Sequence, residues 1–215
     1  MKWLEKHRDS FIANWFQVNG LGLFVSLCLL YYTSFIIKRM LIIDGIAAFE
    51  ILEERGEMWI FDLFFGLQYL TVPIFLLWKF CFTTFILWVG CFMFGYRVTF
   101  SQVWKLVMIF EIVFVIPEFL KVIWFTAVYT DPNYFDYAAF YPLSLINLFD
   151  YESLSDKWMY PLKAFNMFEI VYWGLLASGI FFVSEKKWKT SAIIVLTSYV
   201  LFFFIWIGFY LLAYK

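Results

Sequence analysis

Apolar residues run in long blocks along this chain, and most of the charge gathers between the blocks. The clearest block lies between Asp9 and Lys38, where 28 consecutive residues carry no charge. About 20 apolar residues suffice for a helix to cross a bilayer, so the pattern predicts a first span over 19–37. Trp15 and Phe16 stand at one end of it as interfacial anchors, and Tyr31, Tyr32, Lys38 and Arg39 at the other. From Met40 to Trp59 apolar residues alternate with acids in a pattern suited to an amphipathic helix, the segment 40–59, lying in the interface or docked on the protein.

The next apolar stretch, Leu63 to Tyr96, holds only one charge, Lys79, with Pro73 inside it. A single span over 72–96 entered by an interfacial segment is the expectation, and a hairpin turning near Lys79 is the alternative. Further spans are expected over 103–129, 164–183 and 191–214, with an external loop over 130–160. The fold class is thus an all-α polytopic transmembrane bundle of five spans with interfacial or re-entrant helices, forming one domain over 1–215.

Composition agrees with a bilayer environment. Hydrophobic residues make up 64% of the 215 and aromatic ones 26%, with mean hydropathy +0.80. A soluble domain of this size would leave too much apolar surface in water. The net charge of −1 argues against a nucleic-acid footprint. Lys and Arg near the span ends divide eight against six, which favours a cytoplasmic N-terminus. The first span is expected to act as a retained signal anchor.

The third span is unusual because it contains Glu111, Pro117, Glu118 and Lys121. Charged groups at membrane depth are costly and face protein or water. Glu111 and Glu118 are seven residues apart and share a helix face, and Lys121 is placed to pair with Glu118. Pro117 is expected to kink the helix and free an acceptor. Together with Lys79, Asn166 and Glu169 these residues form a candidate intramembrane polar network. It reads either as an ion or proton path or as polar glue between helices. Gly174 and Ser178, four residues apart, form a small-xxx-small pair suited to close helix contact.

A short repeat occupies the second half. Tyr141-Pro142-Leu143-Ser144-Leu145-Ile146-Asn147-Leu148-Phe149-Asp150 recurs as Tyr160-Pro161-Leu162-Lys163-Ala164-Phe165-Asn166-Met167-Phe168-Glu169, identical at five of ten positions. Proline is at home in a first helical turn. Pro142 and Pro161 are therefore expected to start helices, with Asn147 and Asn166 one to two turns further in. Chance similarity of two aromatic-rich helix starts is the alternative.

Catalytic signatures are not found. His7 is the sole histidine, which removes His-based metal sites and Ser/His or Cys/His pairings. Cys28, Cys81 and Cys91 have no metal or redox spacing. Asp150, Glu152 and Asp156 match no ligand pattern and read as a solvated loop. Neither a cofactor nor a metal is expected, and no small-molecule substrate is evident; membrane lipid and other membrane-protein subunits are the expected partners.

The order of motifs over 72–176 resembles the bacterial branch of the YIP family, the Rab-GTPase-interacting membrane proteins. A Pro-containing span is followed by Gly95-Tyr96-Arg97 and Phe100-Ser101-Gln102, then by the polar span, then by the two Tyr-Pro-Leu segments. The resemblance implies a five-helix bundle with a cytosolic N-terminus in the bacterial inner membrane, and a non-enzymatic role as a scaffold or complex subunit. The acidic N-terminal extension through which the eukaryotic branch binds GTPases has no counterpart ahead of span one, so Rab-type binding is not expected. A small transporter or channel is the alternative.

Overall fold

The computed structural model of the chain describes residues 18–43, 46–129, 132–184 and 187–214. The Trp15–Phe16 anchor, the N-terminal basic residues, and Glu185 and Lys186 lie outside them. All regular elements among the described residues are helical, and one isolated antiparallel bridge joins Ser144 and Asn166. The α-helices are α1 (Gly20–Leu41), α2 (Ala47–Glu54), α3 (Met58–Met93), α4 (Phe100–Phe110), α5 (Ile112–Ala127), α6 (Tyr134–Ala139), α7 (Asp156–Ala164), α8 (Met167–Ser184), α9 (Trp188–Val195) and α10 (Leu201–Ala213). Short 3₁₀ turns occupy Leu145–Leu148 and Tyr151–Ser153, and a π turn over Leu196–Val200 joins α9 to α10.

Four helical runs are long and apolar enough to cross a bilayer: α1, α3, α8 and the run Trp188–Ala213. Their apolar windows are only 17% to 50% buried by the rest of the protein, so most of that surface faces outward. Leu21, Leu70, Ile74, Phe92 and Leu212 are among the exposed residues. Such surface requires lipid around it, and the chain is a membrane protein.

Local signals account for several helix ends. Thr99 and Gln102 form a reciprocal capping box at the start of α4, and Asn133 and Asp136 do the same for α6. Helix α3 ends in a Schellman motif. Gly95 takes φ +73°, Tyr96 N–H donates to the Cys91 carbonyl at 2.9 Å, and Gly95 N–H donates to Phe92 at 3.0 Å.

The 36 residues of α3 form one continuous helix through both Pro73 and Lys79, so there is no hairpin at Lys79. Proline withholds the N–H that would bond the carbonyl four residues back, at Tyr69. That carbonyl accepts the Tyr32 hydroxyl at 3.0 Å, which supplies the missing donor.

The expected third span is interrupted. Helices α4 and α5, of 11 and 16 residues, meet at Glu111, whose backbone stays α-helical at φ −56° and ψ −25°. Pro117 lies inside α5, six residues beyond that interruption.

The repeat prolines do not start helices. Pro142 and Leu143 form a turn in which Leu143 adopts φ +52°, a left-handed geometry that cannot begin an α-helix. The backbone there is spent on the other copy of the repeat: Leu145 N–H donates to Phe165 O at 2.9 Å, and Met167 N–H to Leu143 O at 3.0 Å. Pro161 is the sixth residue of α7, which begins instead at Asp156, an acid suited to a helix N-terminus.

Two compact units emerge from the pattern of contacts. Among the described residues, the first gathers 18–27, 77–112, 170–184 and 187–210, and the second 28–43, 46–76, 113–129, 132–169 and 211–214. In the first, Phe80, Leu87, Val103, Val107, Tyr172 and Ile194 are fully buried. In the second, Ile42, Val122 and Phe125 form a core flanked by Ile37, Tyr137 and Phe140.

Candidate functional site: paired charges and an aromatic cavity

The expected polar network divides between the two units. In the first unit, Lys79 Nζ of α3 meets Glu111 Oε1 at 2.6 Å. Glu111 is completely buried, whereas the Lys79 side chain keeps 24% exposure. The junction of α4 and α5 thus delivers a carboxylate to the interior, and a lysine four-carbon stem reaches it. This pairing joins two of the residues singled out from the sequence.

The remaining members lie in the second unit, with partners the sequence pattern did not indicate. Glu118 pairs with Lys38, in the last turn of α1, and not with Lys121. Lys121 instead donates to the backbone carbonyl of Tyr137 at 2.6 Å and lies 3.9 Å from the centre of the Tyr137 ring. A shared helix face three residues apart permits a Glu118–Lys121 bond. A carbonyl and a ring face supplied together by α6 compete for the same ammonium.

Lys163 of α7 donates to the Ala138 carbonyl, and burial lowers its pKa below the usual lysine value. Tyr137, on α6, has its pKa raised, chiefly by burial and secondarily by the negative charge of Glu118.

Asn166 and Glu169 act at a helix start. The Asn166 side-chain oxygen accepts Glu169 N–H at 2.9 Å, while its amide donates to the carbonyls of Lys163 at 3.0 Å and Ala164 at 3.1 Å. Asn166 therefore caps α8 and ties it to the end of α7. Asn147 plays a related part, donating to the Tyr141 carbonyl at 2.7 Å. The three-residue spacing Asn-x-x-Glu is a capping signature, and it was the available sequence signal for where α8 begins.

Gly174 and Ser178 do not form a close helix contact. A methyl group added at Gly174 would meet nothing within 4 Å, and the Ser178 hydroxyl bonds back to the Gly174 carbonyl at 2.9 Å. Close approaches occur instead at Gly90, where an added Cβ would lie 2.8 Å from Ser198 Cβ, and at Gly179, 2.6 Å from the Phe110 ring. Spacing alone does not reveal which way a pair of small residues faces.

The second unit also contains an open cavity of about 350 Å³. Eight of its twelve lining residues are aromatic, Phe35, Tyr69, Tyr134 and Tyr137 among them, and the others include Lys38, Arg39 and Gln68. The Arg39 guanidinium lies 5.0 Å from the Phe65 ring centre and bonds Asp62, and Lys38 Nζ lies 4.5 Å from the Phe35 ring centre. Lys38, Arg39, Asp62, Tyr137 and Lys163 were absent from the sequence-based candidates. Lys38 and Arg39 read there simply as flanks of an apolar span.

Among the described residues, no group of three or more His, Cys, Asp or Glu side chains is placed to hold a metal ion. No family model, curated protein or solved structure matches the chain. The YIP resemblance therefore rests on the motif order alone.

Proposed function

We propose that the chain is a non-catalytic integral membrane scaffold or accessory subunit of a larger complex in the bacterial inner membrane, such as a secretion, translocation or ABC-type assembly. One observation carries this reading: Lys38, Lys79, Glu111, Glu118 and Lys121, charged residues set among apolar helical segments, find partners within the chain. Lys79 with Glu111, Lys38 with Glu118, and Lys121 with a backbone carbonyl are arrangements that hold helices in place. A proton or ion path needs groups that exchange partners.

In this reading there are five spans, with a cytoplasmic N-terminus. The near-continuous helical run over 100–127 supplies the fifth, since a rise of about 1.5 Å per residue gives it more than the roughly 30 Å of a hydrocarbon core. Arg97 and Asn133 flank that run and are exposed. Single cysteines placed there, in a background without Cys28, Cys81 and Cys91, should be labelled from opposite sides of the membrane. Labelling from one side removes the fifth span.

Purification in mild detergent followed by density mapping tests the role itself. A stoichiometric complex with a different membrane protein is expected. A transporter using intramembrane Glu and Lys is the other reading, and it predicts proton or ion flux in liposomes that Glu111→Gln or Glu118→Gln abolishes. Such flux would overturn the scaffold assignment.

A further inference from the structure

We propose that an open groove between α5 and the turn after α6 holds an acyl chain of a bilayer lipid, whatever that lipid's headgroup. The groove, of about 700 Å³, lies wholly in the second unit and has the size of a small-molecule site. Phe125, Ala139 and Ile146 are its buried floor, and Ile123, Trp124 and Leu143 stand exposed along its walls. Trp124 and Phe140 stack with ring centres 5.2 Å apart, so one wall is preformed.

Leu143 points to an occupant. Its φ of +52° is a conformation that glycine enters freely and leucine does not. The pairing of the two repeats fixes that backbone, because the Leu143 carbonyl accepts Met167 N–H and Leu145 N–H donates to Phe165 O. Pairing explains the conformation but not the choice of leucine. A leucine here is favoured only through burial of its side chain, and within the chain that side chain stays 64% exposed, on the groove wall. Backbone strain that the surrounding structure holds in place gathers at ligand sites.

The neighbourhood and the chemistry of the groove select hydrocarbon. Ile116, Leu120 and Ile123, spaced by four and three, form an exposed apolar stripe on α5 that runs into it. The proposal rests on the five-span reading, in which that stripe faces lipid and the groove opens onto the bilayer. Among the described residues no lysine or arginine lines the groove, which gives a phosphate nothing to bind. Asp136, its one charged lining residue, belongs to the α6 capping box and accepts the Tyr129 hydroxyl at 3.1 Å. An extended peptide would bring backbone groups that need partners in this apolar setting, whereas an acyl chain brings none.

The test places the full chain in phosphatidylcholine vesicles with a trace of phosphatidylcholine carrying a diazirine on one acyl chain, and maps the photo-cross-links by peptide mass spectrometry. Cross-links at Ile123, Trp124 and Leu143 are expected to exceed those at Ile116, on the open stripe, by about tenfold. Moving the diazirine to phosphatidylglycerol or phosphatidylethanolamine should leave the pattern unchanged. Leu143→Gly should lower cross-linking at Ile123 and Trp124 about tenfold while leaving the Tm of the delipidated chain in detergent unchanged or raised, since the backbone is relieved. A fall in that Tm would make Leu143 a packing residue of the fold and overturn the site. Groove cross-links no stronger than those at Ile116 would describe ordinary boundary lipid and overturn it too. So would a pattern that changes with headgroup, or groove labelling that appears only once a co-purifying protein is removed, which would give the groove to a partner's helix. Cross-links at Ile116 without any in the groove overturn the site and spare the fifth span; absence at both overturns the two together.

Discussion

Lys79 with Glu111 and Lys38 with Glu118 are chemically the same pair in two different settings. In the first unit the carboxylate is fully buried and the lysine partly exposed; in the second the lysine side chain is 8% exposed and the carboxylate 21%. The surroundings differ in the same sense. The first unit packs side chains tightly against Gly90 and Gly179, while the second contains the aromatic cavity and binds two further lysines through backbone carbonyls. The difference separates a unit built by close packing from one built around polar groups and open space.

The largest effect expected from this contrast is at Lys79. Replacing it with Met takes the counter-ion from a carboxylate with no solvent exposure, and breaking a buried pair from one side costs about 3–5 kcal/mol. Adding Glu111→Leu should recover most of the loss, because two apolar residues leave no charge to desolvate. Thermal unfolding of the two variants beside the unaltered chain in detergent checks this. A double variant as unstable as Lys79→Met alone would mean that Glu111 serves the fold through contacts other than the pair.

Second in size is Glu118→Gln, expected to cost about 2–3 kcal/mol, since Lys38 loses its counter-ion but Glu118 already has some access to water. Lys38→Met should rescue it, whereas Lys121→Met should not, because Lys121 is held by Tyr137. A double-mutant cycle on each pairing reads the coupling directly. Coupling of Glu118 to Lys121 larger than to Lys38 would reverse the assignment.

Gly90→Ala probes the packing of the first unit. The new methyl would lie 2.8 Å from Ser198 Cβ and 3.3 Å from an Ile194 methyl, so the π turn must move. A net loss of about 1–2 kcal/mol is expected after the gain in helix propensity is allowed for. An unchanged Tm would show that the turn yields freely.

Asn166→Ala should cost about 1 kcal/mol through loss of the α8 cap. Asn166→Asp retains the acceptor and should restore most of that stability. Equal loss in both variants would assign the effect to the amide bonds with Lys163 and Ala164.

These pairs also mark how much the sequence made legible. Long apolar blocks outlined α1, α3, α8 and the final helical run, because bilayer thickness sets a length that composition alone can meet. Glu111 and Lys79 were recognisable as costly charges in apolar surroundings, and the structure joins them. Lys38 and Glu118 are 80 residues apart, and nothing local to either names the other. The repeat misled about its prolines because two copies of one segment pair with each other across the Ser144–Asn166 bridge, which no reading of one copy by itself reveals. Its asparagines carried the more durable signal, since a side-chain amide needs only neighbours in the chain to satisfy a carbonyl.

The smallest effect concerns Gly174, where sequence and structure point in opposite directions. A small-xxx-small pair implies that Gly174→Ala would push a neighbouring helix away and destabilise. In the structure the added methyl meets no atom within 4 Å, so within the chain there is nothing to displace. Glycine in a helix interior is less favourable than alanine by about 0.8–1.0 kcal/mol, and Gly174→Ala should therefore be stabilising by up to about that amount. Ser178→Ala removes only a bond back to the Gly174 carbonyl and should leave the Tm nearly unchanged. Unfolding of the isolated chain measures both. A fall in Tm for Gly174→Ala would mean that another helix approaches this face in detergent, as in a second copy of the chain. The same fall seen only in a purified complex would instead assign the Gly174–Ser178 face to a partner subunit, and would give the first unit a docking surface to set against the cavity of the second.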